Sequence, residues 1–405
     1  MQTNIHPKFE QRSDIDEAES ILRSCVHCGF CNATCPTYQE LGDERDGPRG
    51  RIYLIKQFLE TGDISEVSQT HLDRCLTCRS CETTCPSGVQ YGRLIDIGRD
   101  AMEHQLERPW RQRAMRWALR KVLPYPARFT PLLRLGQVFK PLLPGRLKAK
   151  VPEYQKALPW PVTRQPRRML ALAGCAQSAA TPNTNASAAR VLDRLGVSLV
   201  EAPKAGCCGA VSYHLAAHDE GLDFMRRNID AWWPEIEAGA EAIVISASGC
   251  GAMVQDYGAL LGDDPQYAEK AARVSALAKD LSEVLLQEDL SRLESAQSSV
   301  KTAVHCPCTQ QHALKLNGTV RQILQQAGVP LAETQDDHLC CGSAGTYSIL
   351  QPEMSQTLLG NKLQALTGDH PEQIVTANIG CQMHLATRSD VPVRHWIELL
   401  DTPSQ

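Results

Sequence analysis

Eight cysteines of this chain fall into two copies of one pattern, Cys25-x2-Cys28-x2-Cys31-x3-Cys35-Pro36 and Cys75-x2-Cys78-x2-Cys81-x3-Cys85-Pro86. Thiolates at the first three positions can wrap one iron-sulfur cube, and the fourth, set before a proline, reaches across to a second cube. The spacing predicts two 4Fe-4S clusters with crossed ligation: Cys25, Cys28, Cys31 and Cys85 on one, and Cys75, Cys78, Cys81 and Cys35 on the other. Such centres carry single electrons. A structural zinc needs only two short Cys-x2-Cys pairs, so a third step ending in Cys-Pro, repeated identically, argues against it. Disulfides fit poorly with a chain that otherwise reads as intracellular.

Of the 17 cysteines, nine remain, and they form a second repeat. Cys175-x31-Cys207-Cys208-Gly209 followed by Gly249-Cys250 matches Cys308-x31-Cys340-Cys341-Gly342 followed by Gly380-Cys381, with 41 and 39 residues before the last cysteine of each copy. Each copy offers four thiolates, enough for one further cluster or one zinc ion: Cys175, Cys207, Cys208 and Cys250 in the first, Cys308, Cys340, Cys341 and Cys381 in the second, with Cys306 spare. Inert buried thiols are the plain alternative. His305, His312, His338 and His384 are candidates to hydrogen-bond such ligands. The expectation is that at least one copy holds a further metal centre, an iron-sulfur cluster or zinc.

The elements that must position these residues follow from periodicity. Ile15, Ala18, Ile21 and Leu22 recur at helical spacing ahead of Cys25, and Ile52 to Glu60 and Ile64 to Leu72 read as helices on either side of Thr61-Gly62-Asp63. Arg49 and Arg51, in Gly47-Pro48-Arg49-Gly50-Arg51, are candidates to stand near a cluster, although an ordinary surface turn accounts for them more simply. In the repeat, 168–173 and 300–305 read as buried strands running into a cysteine, and 242–246 and 373–377 as later strands running into Cys250 and Cys381. Helices ending at Gly196 and Gly328 lie between, and a short strand follows each. Strands alternating with helices give a parallel sheet per copy, with the cysteines at strand carboxyl ends where such sheets bind ligands. The matched endings Leu281-Ser282-Glu283-Val284-Leu285 and Trp396-Ile397-Glu398-Leu399-Leu400 point to one duplicated module. The fold class expected is an α-helical di-cluster ferredoxin domain (1–107), a basic linker (108–166) and a duplicated α/β parallel-sheet domain (167–290 and 300–400).

The net charge of the 405 residues is −4, which gives no nucleic-acid signature. Its distribution is uneven: 108–150 holds twelve Lys or Arg and no Asp or Glu, interleaved with Trp110, Trp117, Phe129, Phe139 and several leucines. That composition suits an anionic bilayer surface, or a tether that pairs with an acidic partner, and five prolines between Pro124 and Pro144 favour an irregular path. The first ten residues lack the apolar core of a signal peptide, and no stretch approaches the ~18 apolar residues of a spanning helix. The expected location is cytoplasmic, peripheral on the inner face of the cell membrane.

The 39 residues between Cys35 and Cys75 exceed those of a short βαβ ferredoxin. This part resembles the α-helical ferredoxin domains of heterodisulfide reductase, anaerobic glycerol-3-phosphate dehydrogenase and succinate dehydrogenase iron-sulfur subunits. The module Cys-x31-Cys-Cys-Gly with a distal Gly-Cys resembles the cysteine-rich CCG domain of heterodisulfide reductases and 2-hydroxy-acid oxidising complexes, whose fullest form ends in Cys-x2-Cys. Here Met253 and His384 occupy that last position. Taken over the whole chain, the order of modules resembles the iron-sulfur subunits of bacterial glycolate oxidases. The resemblance implies FAD-binding glycolate oxidase subunits as partners, electron acceptance from their flavin, and passage of electrons towards membrane quinone, with no catalytic residue on this chain. It leaves an anaerobic glycerol-3-phosphate dehydrogenase subunit as an alternative. A disulfide reductase is disfavoured by Met253 and His384, and a zinc-bound scaffold would lack the brown colour of clusters.

Overall fold

The computed structural model describes residues 1–9, 12–293 and 299–401. Its amino-terminal part is helical, with principal helices Ser13–Ser24, Pro48–Thr61, Glu66–Asp73 and Tyr91–Glu103. Their apolar faces meet in one core containing Leu22, Ile55, Leu59, Leu72, Leu94 and Ile95, all essentially inaccessible to water. Burying each such side chain contributes about 1.5–3 kcal/mol, and that core fixes where the helix ends deliver their cysteines. The helix expected at 52–60 starts earlier, at Pro48, because proline suits a first helical position where its missing N–H has no partner to lose. It ends at Gly62, which takes the left-handed conformation (φ 76°). The next helix begins after Ser65, whose hydroxyl accepts from the Ser68 N–H.

The basic linker departs from the irregular path expected of it. Helices span Trp110–Val122 and Pro126–Val138, and a short turn covers Gly145–Lys148. Pro124 separates the first two, and Pro126 opens the second at its first position. Nor are the charges merely solvated. Arg108 and Arg116 pair with Asp73, Arg120 and Lys121 with Glu220, and Lys140 with Glu153, all acids of this same chain. The linker is thus strapped across the ferredoxin part and the first half of the repeat.

Two all-parallel sheets follow. The first is ordered β2-β1-β3-β4, with β1 Arg167–Ala171, β2 Val197–Glu201, β3 Ile243–Ile245 and β4 Ala278–Asp280. The second is ordered β5-β6-β7, with β5 Thr302–His305, β6 Gln373–Thr376 and β7 Val393–His395. The strand expected after the helix Thr319–Gln326 is reduced to one bridge between Thr302 and Leu331. The α/β class with a duplicated parallel sheet is therefore observed.

The two halves do not have separate interiors. Met169, Val197, Val244 and Leu285 of the first share a core with Val304, Ile323, Val375 and Trp396 of the second. Polar ties reinforce this contact. The buried His395 donates its Nε2–H to the Ser246 carbonyl at 2.8 Å, Ser248 and Thr309 exchange a 2.8 Å hydrogen bond, and Arg190 pairs with Asp401. The ferredoxin part straddles both halves: Arg79 pairs with Asp256 and Arg93 bonds Tyr213 on the first, while Tyr347 and His312 of the second bond the Arg74 carbonyl and Thr83.

Candidate metal centres

Each ferredoxin run turns the same way. In the first, His27 (φ 61°) and Gly29 (φ 87°) are left-handed, and in the second Thr77 (φ 53°) and Arg79 (φ 59°) occupy the matching places. Left-handed residues two and four positions after the first cysteine coil the chain so that three thiols converge, a conformation that non-glycine residues adopt only under tertiary constraint. The fourth cysteines behave alike as well: Cys35 and Cys85 are both extended (φ −83° and −76°), each leaving its own run.

The fourth thiol of each run accordingly lies among those of the other. Cys25, Cys28 and Cys31 line one cavity together with Cys85 and Cys81 of the other run, with Arg49 and Tyr91 in its wall. Burial, then the neighbouring Cys25 and Cys85 sulfurs, push the Cys31 thiol up to about 11. On the other side, burial drives Cys81 well above the ordinary thiol range, helped by Cys78, Cys75 and Cys35. Four thiols gathered this closely would repel one another as thiolates, a repulsion that a cluster's ferric and ferrous charge compensates, so both groups fit a 4Fe-4S centre.

Arg51 lies inside the molecule, contrary to the surface-turn reading. It is 1 % exposed, donates from Nη1 towards Cys35 Sγ (3.9 Å) and from Nη2 to Thr37 (3.1 Å), and stands 3.6 Å from Asp46. Tyr91 donates its hydroxyl to Cys75 Sγ at 3.6 Å. Arg49, by contrast, is about one-third exposed and is paired with Glu44 at 2.6 Å. The second ferredoxin group therefore has a buried cation and a phenol on its sulfurs. The first has a screened arginine and an exposed cysteine, Cys28.

In the first half of the repeat, the thiols form a chain of contacts from Cys175 to Cys207, and from Cys208 to both Cys207 and Cys250. In the second, Cys340 and Cys381 sit well below the ordinary thiol range, chiefly through hydrogen bonds from Cys308 and Cys341 respectively. Besides contacting each other, adjacent cysteines thus reach different outer partners, Cys207 to Cys175 and Cys208 to Cys250, Cys340 to Cys308 and Cys341 to Cys381. The glycine after each pair is obligatory. Gly209 (φ 92°) and Gly342 (φ 80°) are left-handed, and a Cβ on them would come within 2.8 Å of the Gly221 carbonyl and 2.5 Å of the Ser355 carbonyl.

Met253 is packed in the first half's core, and His384 shares a 3.0 Å hydrogen bond with Ser355, so neither replaces the missing distal thiol. Cys306 donates to Gln310 Oε1 at 3.5 Å, and burial lifts its thiol to about 12. Sequence reasoning missed the first of two features and named the second, His305, only as a hydrogen-bonding candidate. Cys78 packs with Cys340 and Cys308 in one apolar cluster under Tyr347, joining the second ferredoxin group to the second half. His305 converges with Cys341 and Cys381. Its only sequence signal is its place at the end of a strand, three residues before Cys308.

Residues 21–89 match the 4Fe-4S dicluster domain family, and 169–255 and 302–386 each match the cysteine-rich domain family. Over 402 residues the chain is 57% identical to the glycolate oxidase iron-sulfur subunit of Escherichia coli K12, covering 99% of this chain and 98% of that one. This chain belongs to the glycolate oxidase iron-sulfur subunit family. A probable glycolate oxidase iron-sulfur subunit of Bacillus subtilis is 31% identical over 414 residues, covering 94% of this chain and 91% of its own. Lactate utilization protein A of the same species is 25% identical over 231 residues, 54% of this chain and 93% of its own. The glycolate oxidase subunits thus share the entire order of modules, iron-sulfur domain included, whereas the lactate protein matches about half of it.

Proposed function

We propose that this chain is the electron-transfer subunit of an oxidase complex acting on glycolate or a close 2-hydroxy acid, with FAD-binding partner subunits taking the hydride and membrane quinone as the final acceptor. The observation that carries this reading is the crossed grouping of eight cysteines, with Cys85 joining Cys25, Cys28 and Cys31 around one cavity. Two 4Fe-4S clusters would be held by these thiols and would supply stepwise one-electron chemistry, matching a two-electron flavin to a quinone. The chain's own part is to shape and protect that relay. Tyr91 and Arg51 donate to sulfurs of the second group, and the Arg51 charge favours its reduced form. The second half of the repeat covers Cys78.

Anaerobic co-purification followed by mass spectrometry tests the partner assignment: a flavoprotein that reduces the clusters with glycolate is expected, and one that uses only glycerol-3-phosphate would replace it. The ligand assignment is tested in the full chain. Cys35→Ser should remove the spectrum of the cluster held by Cys75, Cys78 and Cys81, and loss of the Cys25 cluster instead would refute the crossing.

For location, we infer that the linker's exposed face meets the inner leaflet. Trp110 (72 % exposed), Trp117 and Leu142 lie on the surface there with Arg111, Lys148 and Lys150. Each free basic residue is worth about 1 kcal/mol against anionic lipid. Flotation with anionic vesicles should succeed at low salt and fail at high salt; no binding at low salt would leave the segment an internal strap only.

A further inference from the structure

His305 ends β5 with its ring 1 % exposed, and no nitrogen or oxygen hydrogen-bonds either ring nitrogen; the one polar group it meets is the Cys381 sulfur. A buried polar group left unsatisfied costs about 1–3 kcal/mol, so a native fold that keeps an imidazole there has something for it to bind. The surroundings say what. A ring nitrogen of His305 and the sulfurs of Cys341 and Cys381 all lie within 4.8 Å of one another, and all three residues are buried. An ion bound tetrahedrally at about 2.0 Å to nitrogen and 2.3 Å to sulfur needs donors roughly 3.3–3.8 Å apart, a small contraction from that arrangement. Cys340, whose thiol contacts that of Cys341, is the next donor along the chain.

The first half lacks this nitrogen. Three residues before Cys175, where the repeat places the counterpart of His305, stands the buried core residue Leu172. The local backbone differs too. Cys175 leads into an α-helical turn at Ala176–Ala180, while Cys308 leads into a π-helical turn at Thr309–Ala313, a geometry found mostly at functional sites. His384, which stands where a distal cysteine would complete the fullest form of the motif, is occupied by Ser355.

We propose that His305 is a metal ligand: together with Cys341 and Cys381, and with Cys340 as the nearest further donor, it holds a thiolate- and imidazole-bound iron or zinc centre that the first half cannot build. Neutral imidazole and thiolate are the donor pair that both metals accept. The proposal is independent of which flavoprotein or hydroxy acid the complex uses.

The test uses full-length protein purified anaerobically from cells fed 15N-histidine. Zinc K-edge absorption reads zinc alone, and pulsed EPR of the oxidised and reduced protein reads the paramagnetic iron centres. The expected result is one nitrogen near 2.0 Å in the zinc shell, or a histidine 15N coupling on an iron centre. His305→Ala should lose that signature and the metal of one centre. His305→Cys should keep the metal in an all-sulfur shell, a pattern that a merely structural histidine would not produce. His384→Ala should keep both metal and nitrogen. All-sulfur zinc and no histidine coupling in the wild type would overturn the proposal, as would no metal beyond the two ferredoxin clusters, or His305→Ala retaining the full metal content. If His305→Ala does not fold, the wild-type and His305→Cys spectra decide the matter.

Discussion

In the first half of the duplicated domain Leu172 stands ahead of Cys175 in an apolar interior, while in the second His305 stands ahead of Cys308 among buried thiols. The first half bonds the ferredoxin domain through polar side chains, Arg79 to Asp256 and Arg93 to Tyr213. The second half presses its own thiols, Cys308 and Cys340, against the ferredoxin cysteine Cys78. Yet both keep the left-handed glycine after the paired cysteines, the parallel strands and the capping segment at the end. Duplication has preserved a frame whose dimensions are set by backbone geometry and has let the chemistry inside it diverge.

The strongest way to break this comparison is to remove one thiol from each half. Cys341→Ser should abolish the second-half centre and alter the EPR signal of the cluster held by Cys78, because Cys340 beside it touches Cys78's surroundings. Cys208→Ser should leave that signal unchanged; equal effects would make the halves equivalent. Next comes the shared frame. Gly342→Ala and Gly209→Ala force a Cβ into a backbone carbonyl from a left-handed residue, and each should cost about 2–3 kcal/mol, read as a lowered thermal midpoint. A clearly unequal loss would mean that the frame too has diverged.

The setting of the second ferredoxin group can be sharpened through Arg51. Replacing its charge-assisted contact, worth about 1.5–3 kcal/mol, by Arg51→Gln should lower that cluster's potential by about 60–130 mV, since 1.4 kcal/mol is 59 mV for one electron. Arg51→Lys should keep most of the potential, and Arg49→Gln should shift the other cluster less because water already screens it. The smallest effect concerns the seam. Burial holds His395 down at about 4 against an ordinary 6.5, so the folded state stays neutral where the unfolded state takes up a proton. The stability this represents is present above pH 6.5 and is lost as pH falls towards 4. Between pH 6.5 and 5 the loss should be about 1–2 kcal/mol, and His395→Asn should flatten it in midpoints measured anaerobically against pH. Asp280, raised to about 6 by burial, acts in the opposite direction in both proteins, so their difference isolates His395.

Much of this was legible in the sequence because cysteine spacing carries both register and function. Cys25 to Cys85 gave the ferredoxin part, and the spacing around Cys207 and Cys340 gave the repeat and its strands. The linker's helices are not legible, since five prolines point to an irregular path where Pro126 in fact serves as a helix start. The burial of Arg51 is not legible because it depends on Cys35, Asp46 and His71, which come together only in three dimensions. The common core of the halves was hidden for a similar reason: runs such as 242–246 announce burial without naming what covers them.

The unequal enclosure of the two ferredoxin groups has a consequence for how the protein ages. Around the first, Cys28 is exposed beside Val26 and Phe30, which are 68 % and 61 % open to solvent, whereas Cys35, Cys75 and Cys81 of the second are buried and Cys78 is roofed by the second half. Dissolved oxygen and chelators reach a centre through its open edge. A sample left in air should bleach in two phases, the fast one belonging to the Cys25 group and the slow one waiting on the rare separation of the second half from the ferredoxin domain.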